Sequence, residues 1–203
     1  LLVGVGVYAY LRSRSIHDDE RRHGNQQGRP TASSDTHSSD EGEDDFFTKL
    51  KRQLEPAPKS VIKLASEMFW ALYLYPSRKA MTADTKKSQI RMIWDWSGDS
   101  FPVDGAERLA YLEDGIGHPG TAYNTHRWRE LMWFTLAMQE WFAKTVDERR
   151  TLLNDPWAFA EWLESTPESS GRQFRHILLH LLFPDHFERA ITASHKRQII
   201  SGI

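Results

Sequence analysis

Two histidines four residues apart, His176 and His180, stand in the run RHILLHLLFPDHFERAITASHKRQII, which holds four of the chain's nine histidines. One turn of helix places such a pair on one face, where two imidazoles are able to share a zinc ion. With Phe174 at the origin of a helical projection, His176 and His180 fall at about 200° and 240°, while Phe174, Ile177, Leu178, Leu181 and Leu182 form the opposite, apolar arc. No glutamate follows the first histidine as a base. No third ligand is fixed by spacing, although Asp185 and His186 lie close enough in sequence to fold back. The pair therefore reads as a polar outer face, and no metal site is expected.

A second chemical candidate is G-x-G-x-x-G, spelled by Gly115, Gly117 and Gly120 just before a helical stretch. A phosphate cradle of this type needs a buried strand before it and free backbone N–H groups within it. Here AERLAYLED precedes it with helical spacing, and Pro119 removes one N–H. The plain reading is a turn between two helices. With Tyr123, Asn124 and His126, the three glycines still form the best small polar cluster in the domain, a candidate anion or partner site.

Nucleophilic chemistry has little to work with. The chain has no cysteine, which also excludes disulfides and thiolate-bound zinc, and it has no G-x-S-x-G elbow. The carboxylates Asp95, Asp99, Asp104, Glu113 and Asp114 read as caps and solvated loop charges. No catalytic residue is expected. Basic residues gather near the histidines, at Arg172, Arg175, Arg189, Lys196 and Arg197. If Arg172, Arg175, Lys196 and Arg197 converge with Arg127 and Arg129, they form a patch able to contact phosphates. Acidic Asp185 and Glu188 interrupt it, and the formal net charge of −2 argues against a general electrostatic mode of nucleic-acid binding. The eight tryptophans raise base stacking. Trp70, Trp133, Trp141, Trp157 and Trp162 nonetheless fall in helical patterns where large apolar side chains face a core.

The elements that must position these residues are helices. Apolar residues recur at three and four in Val61, Leu64, Ala65, Met68, Leu72 and Tyr75, and again in Trp128, Leu131, Met132, Met138 and Phe142. Caps are expected at Asp104 with Glu107, at Thr145 with Glu148, and at Asp155 followed by Pro156. The spacing predicts helices near 46–55, 59–75, 84–96, 105–113, 124–144, 146–153, 156–164, 169–183 and 194–201. The fold class is all-α, an irregular multi-helix bundle preceded by a disordered linker. That linker spans 17–45, where Ala32 is the only aliphatic side chain and apolar burial cannot offset the entropy of ordering. Residues 46–203 are the folded domain.

The opening LLVGVGVYAYLRSRS, within 1–16, reads either as the end of an upstream segment or as a truncated transmembrane helix. Residues 1–11 are too few to span a bilayer by themselves, and Arg12 and Arg14 would mark the cytoplasmic flank. The setting expected is cytoplasmic, with or without that membrane tether.

The residues also carry a family resemblance. LLHLLFPDHFERAITASHKRQII resembles a signature of large McrB-like AAA+ proteins, in the helical region upstream of their nucleotide-binding module. SEMFWALYLYPS at Ser66–Ser77, IRMIWDWSG at Ile90–Gly98, GIGHPGTAYNTHRWREL at Gly115–Leu131 and DPWAFAEWL at Asp155–Leu163 agree with it, so it covers 46–203. The resemblance implies a parent that is the motor of a type IV, modification-dependent restriction system, hydrolysing GTP or ATP with Mg to drive a partner nuclease on foreign DNA. The chain contains no G-x-x-x-x-G-K-[ST], so none of the family's nucleotide-binding residues carries over, and no cofactor is expected here. The preferred expectation is a non-catalytic helical accessory domain coupled to a downstream AAA+ motor in the same chain. The alternatives are a nucleic-acid-contacting module using the basic residues above, and a metal-dependent enzyme built on His176 and His180.

Overall fold

Helix begins where the acidic linker gives way to apolar side chains. In the computed structural model, which describes residues 43–189 together with Ser201, the first helix is α1 (Glu43–Leu54). There follow α2 (Lys59–Tyr73), α3 (Ala83–Asp95), α4 (Gly105–Ala110), α5 (Thr121–Thr125), α6 (Arg127–Ala143), α7 (Val146–Asn154), α8 (Pro156–Ser165) and α9 (Phe174–Leu182). Among the described residues there is no strand, only one isolated parallel bridge between Pro76 and Gly117. The protein is an all-α bundle. The expected linker is corrected at its end, since α1 takes in residues 43–45; the rest of 17–45, the segment 1–16 and the expected helix 194–201, apart from helical Ser201, lie outside the described residues.

Helix α2 is the central element, packed on α3 along much of its length and also against α6. Val61, Ile62, Ala65, Ser66, Met68, Phe69, Leu72 and Tyr73 are all buried, a face too wide for a helix with one partner. Leu64, expected inside, is 40% exposed. Pro76 ends the helix by steric pressure on the preceding residue and by lacking an N–H. Across the core, Trp133 of α6 is fully buried, its ring edge-on to Phe174 at 6.4 Å, and Phe134 meets Phe174 at 4.9 Å. Such aromatic pairs contribute about 1 kcal/mol each beyond area burial. The Trp133 Nε1–H donates to Thr166 Oγ1 at 2.9 Å, which ties α6 to the end of α8.

Two of the three expected caps are present. Thr145 and Glu148 form a full capping box at α7, and the Asp155 carboxylate accepts from Trp157 N and Ala158 N, both at 3.0 Å, with Pro156 in the first turn of α8. Asp104 does not cap α4. Its backbone is already helical, at φ −67° and ψ −21°, so its carboxylate lies 4.0 Å from Arg108 instead.

The other corrections have tertiary causes. The helix expected over 124–144 is two, broken at His126 (φ −112°, ψ 30°) between Tyr123 and Arg127, each anchored separately to α2. The helix expected from 169 begins at Phe174, because Gly171 (φ 73°) and Glu168 (φ 59°) turn the chain through left-handed conformations first. Trp157 is 62% exposed rather than buried. The inward ridge of α8 is Phe159 and Leu163, one turn apart, and a residue two before Phe159 lies about 200° round the helix. Phe142 is likewise 61% exposed, while Trp141, one position before it, packs on core Phe159 at 5.7 Å.

Glycine is required where two segments touch. Gly115 has φ +65°, and a Cβ there would overlap the Pro76 carbonyl oxygen, whereas Gly120 has φ +85° but faces open space. Gly115→Ala is therefore expected to cost at least about 2 kcal/mol, through strain plus backbone collision, and Gly120→Ala about 1 kcal/mol through strain alone. Urea denaturation of both variants checks this, and equal losses would contradict it.

Candidate functional site

The glycine loop is folded onto the end of α2. Once Pro76 has stopped that helix, the Tyr75 and Pro76 carbonyls have no helical partner. Ile116 N and Gly117 N donate to Tyr75 O at 2.8 and 3.0 Å, Ser77 N donates to Gly117 O at 2.7 Å, and Arg78 N donates to Asp114 O at 3.3 Å. Gly117 also lets the chain lie on the Tyr75 ring, since a Cβ there would stand 2.8 Å from the phenol oxygen. Gly120 N donates to the His118 Nδ1 at 3.1 Å. The N–H groups of Ile116, Gly117 and Gly120, which a bound phosphate would need, are thus spent inside the protein. The loop is a clasp. Of the rest of the expected polar cluster, Tyr123 is buried and donates to Leu72 O at 3.0 Å, Asn124 donates to Ala80 O at 3.4 Å, and His126 is half-buried at the break after α5.

Lys86 completes the clasp from α3. It is fully buried, and its ammonium donates to Pro76 O and, at 3.2 Å, to Leu112 O. Burial pulls its pKa below the ordinary lysine value, while the charges of Asp114 and Glu113 oppose that. Its position was readable: Ala83, Lys86, Ile90 and Ile93 lie at core spacing, so a lysine there stands on an apolar stripe. The loop carboxylates behave largely as expected. Asp99 meets Lys59 and Lys63, both at 2.7 Å, and their hydrogen bonds pull its pKa down to about 2. Glu113 pairs with Lys87 and, at 3.7 Å, with Arg78.

Among the described residues, the expected basic side chains have separate partners. Arg127 is buried, donating to Tyr73 OH at 2.8 Å with its guanidinium 5.3 Å from the Tyr73 ring, and Tyr73 OH in turn donates to Gln89 Oε1. Arg129 lies over Trp128 at 5.1 Å. Arg172 approaches Glu130 at 4.0 Å, and Arg175 meets Glu164 at 3.2 Å. Lys196 and Arg197 lie outside the described residues. Arg127 in particular is corrected from phosphate contact to core anchor, because its charge is engaged with α2.

Glu130 is the residue that sequence reasoning missed. It is buried on α6, and its Oε2 accepts from Phe174 N at 2.9 Å, so a carboxylate 44 residues away receives a first-turn N–H of α9. Burial raises its pKa above the ordinary glutamate value, against the lowering effect of Phe174 N–H and Arg172. Tyr123 is pushed well above the usual phenol value, by burial first and then by the negative charge of Glu130. The signal lay in the sequence as a charge on an apolar stripe, in register with Arg127, Leu131 and Phe134.

The histidines share a helix but serve separate neighbours. His180 Nδ1 donates to Phe187 O at 2.8 Å, and Arg175 Nη2 donates to His176 Nε2 at 3.4 Å. Among the described residues no three His, Asp or Glu side chains group as metal ligands. The apolar arc is rotated from its projection: Leu179 is buried, while Leu182 is 44% exposed.

Fold and site together define an all-α bundle with Lys86, Arg127 and Glu130 buried and bonded inside it. No family model, curated protein or solved structure matches the chain. No described helix is long and apolar enough to cross a membrane.

Two outcomes follow from these partners. Arg172→Glu places a negative charge beside buried Glu130 and should cost about 3 kcal/mol, whereas Arg150→Glu, facing exposed Asp147 at 2.9 Å, should cost less than about 1 kcal/mol. If the patch contacts phosphates, Arg175→Glu will weaken binding of a DNA duplex and flatten its salt dependence. Glu130 sets a pH dependence. Its folded pKa is raised, so the native state holds more protons than the unfolded chain, and stability falls as pH rises from about 4, the unfolded value, through the folded one. Glu130→Gln keeps an acceptor for Phe174 N and should flatten that fall. The difference between the two proteins' melting temperatures against pH isolates the effect from other carboxylates, and a pH-independent difference would refute it.

Proposed function

We propose that this chain is a non-catalytic helical accessory domain that couples recognition to an NTPase motor of the McrB-like AAA+ class, in defence against foreign DNA. The family part of the reading rests on the resemblance carried by segments between Ser66 and Ile200. The coupling part rests on one observation: Tyr75 joins three regions of the chain. Its carbonyl holds the 115–117 loop, its ring lies under Gly117, and its buried phenol donates to Arg189 O at 2.7 Å, where the chain leaves α9. A shift of the loop therefore acts on the exit at Arg189 through a single rigid side chain.

The engagement of the other polar groups supports a coupling role over a catalytic one. Lys86, Arg127 and Glu130 are each bonded within the core, where they hold helices to one another rather than facing a substrate. In the natural polypeptide that carries this domain, GTP or ATP is expected to be hydrolysed with Mg, and Tyr75→Phe is expected to lower turnover severalfold with a change in melting temperature of only about 4 °C. Absence of hydrolysis of either nucleotide would overturn the family part. Turnover unaffected by Tyr75→Phe would overturn the coupling part.

A further inference from the structure

The far end of the bundle carries an apolar surface that the core does not use. Trp157, at the start of α8, is 62% exposed, and Leu153 at the end of α7 and Leu182 at the end of α9 are 45% and 44% exposed. Trp157 is held rather than loose. Its ring packs edge-on to Phe187 at 5.1 Å, Phe187 lies 6.4 Å from Phe183, and Phe183 lies 5.4 Å from Phe159 in the core. His180 fixes the same turn by donating to Phe187 O. An exposed indole set in place by an aromatic ladder is presented at little further entropic cost, the property of an anchoring residue in an interface.

Charge selects what such a surface takes. Exposed Asp155, Glu161, Asp185 and Glu188 are the acidic residues next in sequence to the aromatic pair: Asp155 precedes Trp157 by two, Glu161 follows it by one helical turn, and the other two flank Phe187. None of the four forms an ion pair with another described residue, and among the described residues Arg189 is the arginine or lysine adjacent to them in sequence. These carboxylates repel phosphate, so a nucleic acid or an anionic bilayer is a poor occupant. Apolar contact beside acidic charge instead complements a helix with aliphatic residues on one face and lysine or arginine on its flanks.

We infer that the Trp157–Phe187 surface docks a basic amphipathic helix of a partner polypeptide. This goes beyond the coupling reading and stands without it, because neither Tyr75 nor nucleotide takes part. The test titrates the full chain with a synthetic 18-residue amphipathic helix of leucine and lysine, and with the same helix bearing glutamate for lysine, by calorimetry.

The lysine peptide is expected to bind and the glutamate peptide not. Trp157→Ser is expected to weaken binding about tenfold, as loss of a central aromatic anchor does. Joint Asp185→Lys and Glu188→Lys is expected to weaken it to a similar degree and to reduce its salt dependence. Tyr111→Ser, at an exposed ring just after α4, leaves it unchanged. Equal loss with Tyr111→Ser, undiminished binding by Trp157→Ser, or Trp157-dependent binding to phosphatidylserine vesicles instead of peptide would overturn the inference.

Discussion

Helix α2 ends at Tyr73, and much of the bundle follows from how the segment just beyond it is held. The Tyr75 and Pro76 carbonyls lie there in buried residues outside any helix, and a buried carbonyl without a donor costs about 1–3 kcal/mol. One is satisfied by two backbone N–H groups of the glycine loop, the other by the ammonium of Lys86 on α3. Both reach that segment from elsewhere in the chain. The same bonds therefore fix the angle of α3, the path of the loop and the start of α5.

The buried charges form a set with a common logic. Lys86, Arg127 and Glu130 each come from an apolar helix face, and each bonds a backbone or hydroxyl group from elsewhere in the chain. Burial opposes ionisation of Lys86 and Glu130, while their bonds and neighbouring charges partly offset it. Groups of this kind hold an arrangement more than they add net stability. Their geometry allows one pairing of α2, α3, α6 and α9, where purely apolar contacts would tolerate sliding. The same bonding draws Arg127 into the core.

Much of the helix content was legible. The recurrence of apolar residues marked α2, α3, α7 and α8 closely, and the Thr145–Glu148 and Asp155–Pro156 caps were set by residues two or three apart. The Asp104 cap failed because a helical backbone at that residue turns its carboxylate away from the N–H groups. Residue exposure was less legible. Projection treats a helix as having one inward face, but α2 has two neighbours, α8 only a narrow ridge, and the end of α6 turns Trp141 rather than Phe142 onto Phe159, so Leu64, Trp157 and Phe142 all fell on the other side of the prediction. The glycine loop was correctly read as a turn joining helices, while its bonds to Tyr75 and the turn at 168–173 had no counterpart in spacing.

What the sequence by itself determined are the properties set within one or two helical turns: an all-α fold, most element positions, two caps, the glycine turn, and the presence of charged residues on apolar stripes. These depend on side-chain periodicity and on bonds between near neighbours, which local spacing fixes. Only the tertiary structure decided which carbonyls Lys86 receives, that Glu130 bonds the first turn of α9, that Tyr75 reaches Arg189, and that Trp157 stands in solvent on an aromatic ladder. Each depends on the distance between atoms on separate helices, and no pattern within one helix specifies how its neighbours are placed.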